Sequence, residues 1–297
     1  MELLQLKYFL VVADIQHMTH AAEKLNITQP ALSTVISRLE YELGVPLFDR
    51  VGRSIVLNSY GEAFQRRGNQ ILMEIEDSKR ELKDMAKKSD LIVSLSVTSP
   101  QFLQGMAEFI RVEPDIKWQQ RVDEVKDIIP LLERGQIDLA ITSPGLFDEM
   151  FHSTVLLKDE FMIAVHPDHP LAARESVCLQ DIAHEKFIML QKGLPFRTQS
   201  DLLLSDLGIR PNIIMECDHY LRRELINANA GITIASSSAQ FRHLYDPQIR
   251  FLHIEDARRT RDIVMTRRKD KYLSTAARKF AEFLMNNYRQ YSLGQIL

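Results

Sequence analysis

Residues 19–58, THAAEKLNITQPALSTVISRLEYELGVPLFDRVGRSIVLN, carry the reading that decides the fold: two short helices joined by a tight turn, then a two-strand wing. Thr19 is a candidate N-cap for a helix whose inward residues Ala21, Ala22 and Leu25 are small enough for a second helix to cross closely. Asn26 and Ile27 turn the chain, Thr28 caps the next helix, and Pro30 falls in its first turn, where a missing N–H costs little. Leu32, Ile36, Leu39 and Leu43 then share one face at helical period, and Gly44 supplies a left-handed stop. With that core face fixed, Pro30, Ser33, Thr34, Ser37 and Arg38 point away from it, and Gln29 projects from the leading end. An amide, short hydroxyls and a guanidinium can hydrogen-bond base edges and phosphates in a major groove. Pro46, Leu47 and Phe48 pack the chain back, Arg50 to Arg53 form a basic tip, and residues 54–57 return as a strand.

The arrangement resembles the LysR-type transcriptional regulators, whose N-terminal signature runs AAE.L..TQPALS...I..LE.ELG..LF.R..R...L. The matching positions run from Ala21, Ala22, Leu25, Gln29, Pro30, Ala31, Leu32 and Ser33 through Ile36, Leu39, Glu40, Leu43 and Gly44 to Leu47, Phe48, Arg50, Arg53 and Leu57. Two departures stand out. Thr34 sits where the family often carries Arg, and Asn58-Ser59-Tyr60-Gly61 replaces Thr-Pro-x-Gly, with Asn58 still able to cap. The resemblance implies a sequence-specific regulator that is not an enzyme. Its DNA contacts would be Gln29, Pro30, Ser33, Thr34, Ser37 and Arg38 in the groove and Arg50 and Arg53 on the wing. Its partners would be double-stranded operator DNA, a small-molecule effector, a second copy of itself in a dimer that pairs into a tetramer, and RNA polymerase.

Charge argues less loudly than motif. Residues 1–60 hold five basic side chains against six acidic ones, so bulk attraction to a polyanion is weak. Arg38, Arg50 and Arg53 nevertheless sit on the proposed reading face, which predicts salt-sensitive binding without long-range steering. The 297-residue chain, 45% apolar and 26% charged, has the composition of a globular protein with room for two or three domains. The first residues offer neither a signal peptide nor a membrane span, which predicts cytoplasmic residence. Cys178 and Cys217 are no disulfide scaffold and lack adjacent basic groups, although some LysR-type proteins sense peroxide through a cysteine pair.

The fold class expected is α+β multidomain: a winged helix-turn-helix over 1–58, a long linker helix over 59–88, and a two-lobed α/β effector domain over 89–297. A helix over residues 1–18 backs the reading pair. Between Ser59 and Lys88 the apolar residues Phe64, Ile71, Ile75, Leu82 and Met85 form a partial heptad seam, broken at Gly68 and Ser78. Such a rod needs a partner, and the same helix of a second copy is the simplest; Glu76 with Arg80 and Asp84 with Lys88 add i,i+4 pairs. Beyond it, strands and helices alternate, with strands at 91–97, 117–122, 137–142, 160–166, 187–190, 212–216, 231–235 and 263–266 and a last helix from Ser274 to Tyr288. Lobe I takes about 89–162 and 267–297, lobe II about 163–266. This layout, with HPDHPLA at 166–172 and NAGITI at 229–234, is similar to the periplasmic-binding-protein-like effector domain of the same family.

In such sheets ligands lie beyond the carboxyl ends of the strands. That rule selects Thr98, Ser99 and Gln101 after the first strand, Thr142 and Ser143 after the third, and Phe196 and Arg197 before a helix of lobe II, with Arg197 as the carboxylate partner. No metal or cofactor is implied: His152, His166, His169 and His184 lack zinc-ligand spacing, and no phosphate loop or nucleophile arrangement occurs. The cluster Arg258, Arg259, Arg261, Arg267, Arg268, Lys269 and Lys271 reads as a solvated face. A solute-binding protein or an α/β enzyme with docking helices is the competing class; the first would need an export signal, the second a convergent acid, base or nucleophile.

Overall fold

The computed structural model describes every residue except 52–53, 87–90, 104, 239–244, 257–259 and 294–297, and the side chains of 50, 51, 54 and 291–293 also lie outside the described set. The chain forms two compact units, Met1–Lys88 with Glu133–Gly135, and Ser89–Leu132 with Gln136–Leu297.

In the first unit α1 (Leu3–Ile15), α2 (Met18–Lys24) and α3 (Gln29–Leu43) bury Leu6, Phe9, Leu10, Ala21, Ala22, Leu32, Ile36 and Leu39 in one core. The Thr28 hydroxyl caps α3 by accepting from the Ala31 N–H, and Gly44 closes it at φ 74°. The cap of α2 is not Thr19. The helix starts earlier, and the His17 ring accepts from the His20 N–H at 3.4 Å. Strands β1 (Phe48–Val51) and β2 (Ser54–Leu57) pair antiparallel, Phe48 opposite Leu57. Glu40 ties the wing to α3, its carboxylate accepting from the Leu47 N–H at 2.7 Å.

Helix α4 (Ser59–Met85) is capped by Asn58, whose side-chain oxygen accepts from the Gly61 N–H at 3.0 Å. Its first half belongs to the head core: Phe64 lies 4.9 Å from Phe9 between ring centres. Gly68, which interrupts the apolar seam in the sequence, is the reason α4 can lie on α1, since a Cβ there would come within 2.8 Å of Leu6. A Cβ at Gly61 would collide with the Leu47 carbonyl. Farther along, Ile71, Leu82 and Met85 are exposed. Glu76 pairs with Lys79 at 2.8 Å rather than with the expected Arg80, and Lys88 lies outside the described residues.

In the second unit β3 (Ile92–Val97), α5 (Met106–Val112), β4 (Lys117–Val122), α6 (Val125–Glu133) and β5 (Leu139–Thr142) build lobe I, in which β4, β3 and β5 run parallel. Val93, Leu95 and Val97 pack against Phe109, Phe280, Leu284 and Tyr288, the last three from α10 (Thr275–Leu293); Ile128, Leu132, Ala140 and Phe151 form a second cluster. Lobe II holds β7 (Ser176–Val177), α7 (Leu179–Ile182), β8 (Lys186–Leu190), α8 (Pro195–Asp206), β9 (Asn212–Cys217), α9 (His219–Asn227), β10 (Thr233–Ser236) and β11 (Arg250–Ile254).

Two strands join the lobes. β6 (Phe151–Val165) pairs with β12 (Thr260–Arg268) through residues 151–160, then with β10 and β11 through 161–165. The sequence places only the second half of β6 and the middle of β12 in strands, so its lobe boundary at 266 falls inside a strand that pairs with lobe I from Thr260 onward. At the crossing, Arg261 stands opposite Asp159 and binds it at 2.7 Å, with Asp159 fully buried. Asp159 also accepts from the Ser236 and Ser237 hydroxyls and the Ser238 N–H. A buried carboxylate with one cation and three neutral donors is fully satisfied, the condition for a stable buried pair.

The basic cluster is not one solvated face. Arg261, Arg268 and Lys271 are buried and paired with Asp159, Asp270 and Asp138, Arg267 is half-buried and Lys269 exposed, while Arg258 and Arg259 lie outside the described residues.

Candidate nucleic-acid interface and ligand cavity

On α3 the core takes Leu32, Ile36 and Leu39, and helical periodicity turns the polar residues outward. Gln29, Pro30, Thr34, Ser37 and Arg38 are exposed and Ser33 is half-buried. Ser33, Thr34, Ser37 and Arg38 line one open groove together with Gln5, Tyr41 and Glu42. Tyr41, 90% exposed, adds an aromatic ring to this face that the sequence reading passed over. The Thr34 hydroxyl is turned back to the Pro30 carbonyl at 2.9 Å, leaving its lone pairs for an incoming donor. Arg38 has no acidic partner among the described residues. The backbone of Arg50 pairs with Ile55 in the wing, its side chain lies outside the described set, and Arg53 lies outside the described residues altogether.

The second candidate site is a cavity of about 100 Å³ where the carboxyl ends of strands from both lobes converge. Lobe I contributes Thr98, Ser99, Gln101 and Ser143, and lobe II contributes Phe196, so five of the seven expected residues meet there. Thr98 accepts from the Ser143 N–H at 3.1 Å, which fixes the two loops to each other. Thr142 and Arg197 do not line it. The Thr142 side chain is fully buried within the sheet. Arg197, 3% exposed, spends its guanidinium inside lobe II: on Asp201 at 2.7 Å, on Glu216 at 2.9 Å and on the Leu190 carbonyl at 2.6 Å. Burial works against its charge, yet the two carboxylates raise its pKa. It joins α8 to β8 and β9, and its charge is already matched inside the lobe by two carboxylates.

Four polar residues that the sequence reading did not select line the cavity: His219, Arg222, Ser236 and Tyr245; so does Arg261, read there as surface. Arg222 is 7% exposed, and Arg222 and Arg261 lie 5.6 and 4.5 Å from the Phe196 ring centre. Burial, followed by the charges of Arg222 and Arg261, lowers the His219 pKa to about 4, so its ring is neutral at pH 7. The signal for Arg222 is its spacing: it falls four residues before the buried Ile226, on the inward stripe of α9, whereas Arg223 does not.

Comparison with known proteins agrees with this layout. Residues 3–62 match the family model "Bacterial regulatory helix-turn-helix protein, lysR family", and residues 91–289 match "LysR substrate binding domain". The chain belongs to the LysR family. Among relatives of this LysR-type regulator, the uncharacterized HTH-type transcriptional regulator YybE of Bacillus subtilis is 34% identical over 98% of this chain and 100% of its own. The HTH-type transcriptional regulator AlsR of the same organism is 30% identical over 92% of each. A full-length OxyR variant from Pseudomonas aeruginosa shares the fold, with a TM-score of 0.63, 21% identity and coverage of 98% of this chain and 96% of that one. LysR-type chains are transcription regulators with a DNA-binding helix-turn-helix and an effector-binding domain, not enzymes.

In this LysR-type chain both cysteines are free thiols, Cys217 buried and Cys178 half-buried. Burial pushes both pKa values up, and the Glu255 carboxylate at 3.6 Å from the Cys178 sulfur adds to the effect there. Neither is poised as a thiolate. His166 and His169 cap their own loop, accepting from the Asp168 and Leu171 N–H groups. No described helix is long and apolar enough to cross a membrane.

Proposed function

We propose that the polar face of α3 enters the major groove of an operator, with Gln29, Pro30, Ser33, Thr34, Ser37 and Arg38 reading bases and phosphates and Arg50 and Arg53 of the wing holding the backbone. The observation that carries this is the division of α3: its apolar residues are spent on the head core, and the opposite side lines an open groove beside the guanidinium of Arg38, which has no acidic partner among the described residues. The exposed Ile71, Leu82 and Met85 of α4 support pairing with the same helix of a second copy, which would present two heads to two half-sites. In this reading 1–58 is the head, 59–88 the dimerising helix and 89–297 the effector domain. Dimers pair into tetramers that meet RNA polymerase at promoters in the cytoplasm. A small molecule between the two lobes acts by binding one arrangement of the assembly better than another.

Arg38→Ala tests the reading face. It is expected to weaken operator binding by roughly 5- to 150-fold, the equivalent of about 1–3 kcal/mol for one lost base or phosphate contact, in a gel-shift titration at fixed salt. Wild-type affinity in this variant and in Ser33→Ala would remove α3 from the interface.

A further inference from the structure

Among the cavity's charged groups one has no counterpart. Arg261 is held by Asp159, but Arg222 has no carboxylate partner among the described residues, although it is buried. One of its terminal nitrogens donates to the Ile234 carbonyl at 3.3 Å, and its Nε has no acceptor among the described residues. His219 Nδ1 and the Tyr245 hydroxyl, both buried at the cavity, likewise have no hydrogen-bond partner among the described residues. No acidic residue lines the cavity among the described residues. A cation withdrawn from water without a counter-charge is costly to keep, and a chain that keeps one in a cavity has arranged it for an anion supplied from outside.

Two further features agree. The twelve-residue helix α8 opens onto the cavity through Leu194, Pro195 and Phe196, and its N-cap, Leu194, offers no side-chain acceptor to the first N–H groups. That helix end adds positive potential to the pole that Arg222 forms. The opposite wall is neutral and hydroxylic, with Thr98, Ser99 and Ser143.

Charge narrows the ligand class. Among the described residues Arg261 and Asp159 cancel, His219 is neutral at pH 7, and Arg222 leaves one net positive charge. The volume of about 100 Å³ gives room for roughly seven to ten water-sized groups, at about 10–15 Å³ each. We propose that the effector is a small monocarboxylate, its carboxylate on Arg222 and its body toward Thr98, Ser99 and Ser143. This rests on the reading that the second unit binds the regulatory molecule, and it replaces Arg197 by Arg222 as the anion partner.

Thermal melting of the full-length chain tests it with benzoate and propionate, against benzamide, propionamide, succinate, phosphate and chloride at matched ionic strength and millimolar concentration. The monocarboxylates are expected to raise the Tm saturably, and the amides, phosphate and chloride to leave it unchanged. Arg222→Met is expected to weaken the response by about thirty-fold or more, and Arg222→Lys to keep part of it. Because Arg222 is an unpaired buried cation, Arg222→Met is also expected to melt at a higher temperature than wild type when no ligand is present. A lower Tm or failure to fold in Arg222→Met, amides or phosphate as effective as the acids, or no shift with either monocarboxylate would overturn the assignment. Operator footprints with the same probes separate this from the regulatory reading. A monocarboxylate that binds through Arg222 without altering the footprint sinks regulation by this site and leaves the ligand class standing. A footprint altered only by the amides sinks the ligand class.

Discussion

Arg38 on α3 and Arg222 on α9 are both guanidiniums without an acidic partner among the described residues, yet the first is exposed and the second is buried. An exposed arginine without a partner is ordinary, because water satisfies it at little cost. Its meaning comes from its company: the hydroxyls beside it and the helix that presents it. A buried arginine without a partner is informative by itself, because the interior penalises it. Arg197 and Arg261 complete the comparison. They are as deeply buried as Arg222, and each is neutralised within the chain. What separates a structural guanidinium from one kept for a ligand is therefore not burial but whether the chain supplies the counter-charge.

The strongest way to break this comparison is to turn Arg261 into a second Arg222. Asp159→Ala leaves Arg261 buried and unpaired, and about 3–5 kcal/mol of stability is expected to be lost, read as a lower urea midpoint of the full chain. A loss under about 1 kcal/mol would mean that unpaired buried charge is tolerated here, and the reasoning about Arg222 would lose its premise. A second test uses proton linkage at His219. Its folded pKa, about 4, lies below the 6.5 of an unperturbed ring. Above pH 6.5 the ring is neutral in both states. As the pH falls from 6.5 toward 4 the unfolded chain takes up the proton first, so stability falls across that window, by at most about 3 kcal/mol for a half-buried ring. His219→Asn should remove this part of the acid sensitivity, measured as the difference between the two proteins at pH 7 and 4.5; parallel profiles would show that the ring is solvated rather than enclosed with the two guanidiniums. The smallest effect is expected at the exposed end of the comparison, where Arg38→Ala should change folding stability by less than about 0.5 kcal/mol in the same urea titration. A larger loss would make Arg38 part of the head core.

These regions were not equally legible in the sequence. On α3 the core and the reading face are two sides of one 3.6-residue period, so identifying Leu32, Ile36 and Leu39 as inward leaves the remainder as the outward set. The cavity depends on chain segments far apart in sequence, and only the carboxyl ends of strands could be read. That sufficed for Thr98, Ser99, Gln101, Ser143 and Phe196, but the tetrapeptide His219 to Arg222 looks like any polar helix start until β10 is seen lying beneath it. The place of Arg197 inside lobe II is not legible because its partners Glu216 and Asp201 become neighbours only through the β8–β9 pairing and one helical turn. The first half of β6 escaped for a different reason. Its register against β12 shifts between Ile263 and Val264, so Leu156 is an extra residue, both Leu156 and Leu157 are buried, and the alternation that marks a strand is lost. Residues 250–254 are simply short, with Leu252 and Ile254 the only fully inward pair.

The glycines of α4 have a consequence for how far a small motion can reach. Because Gly61 and Gly68 let the helix seat directly on the wing and on α1, head and helix form a single stiff arm instead of a bead on a tether. Twenty-seven residues at about 1.5 Å each make that arm roughly 40 Å long. Pivoting it by about 5° about its Met85 end carries α3 through roughly 3.5 Å, close to the ~3.4 Å rise of one base pair. A change of a few degrees in that angle is thus enough to move the reading face by a full step of the double helix.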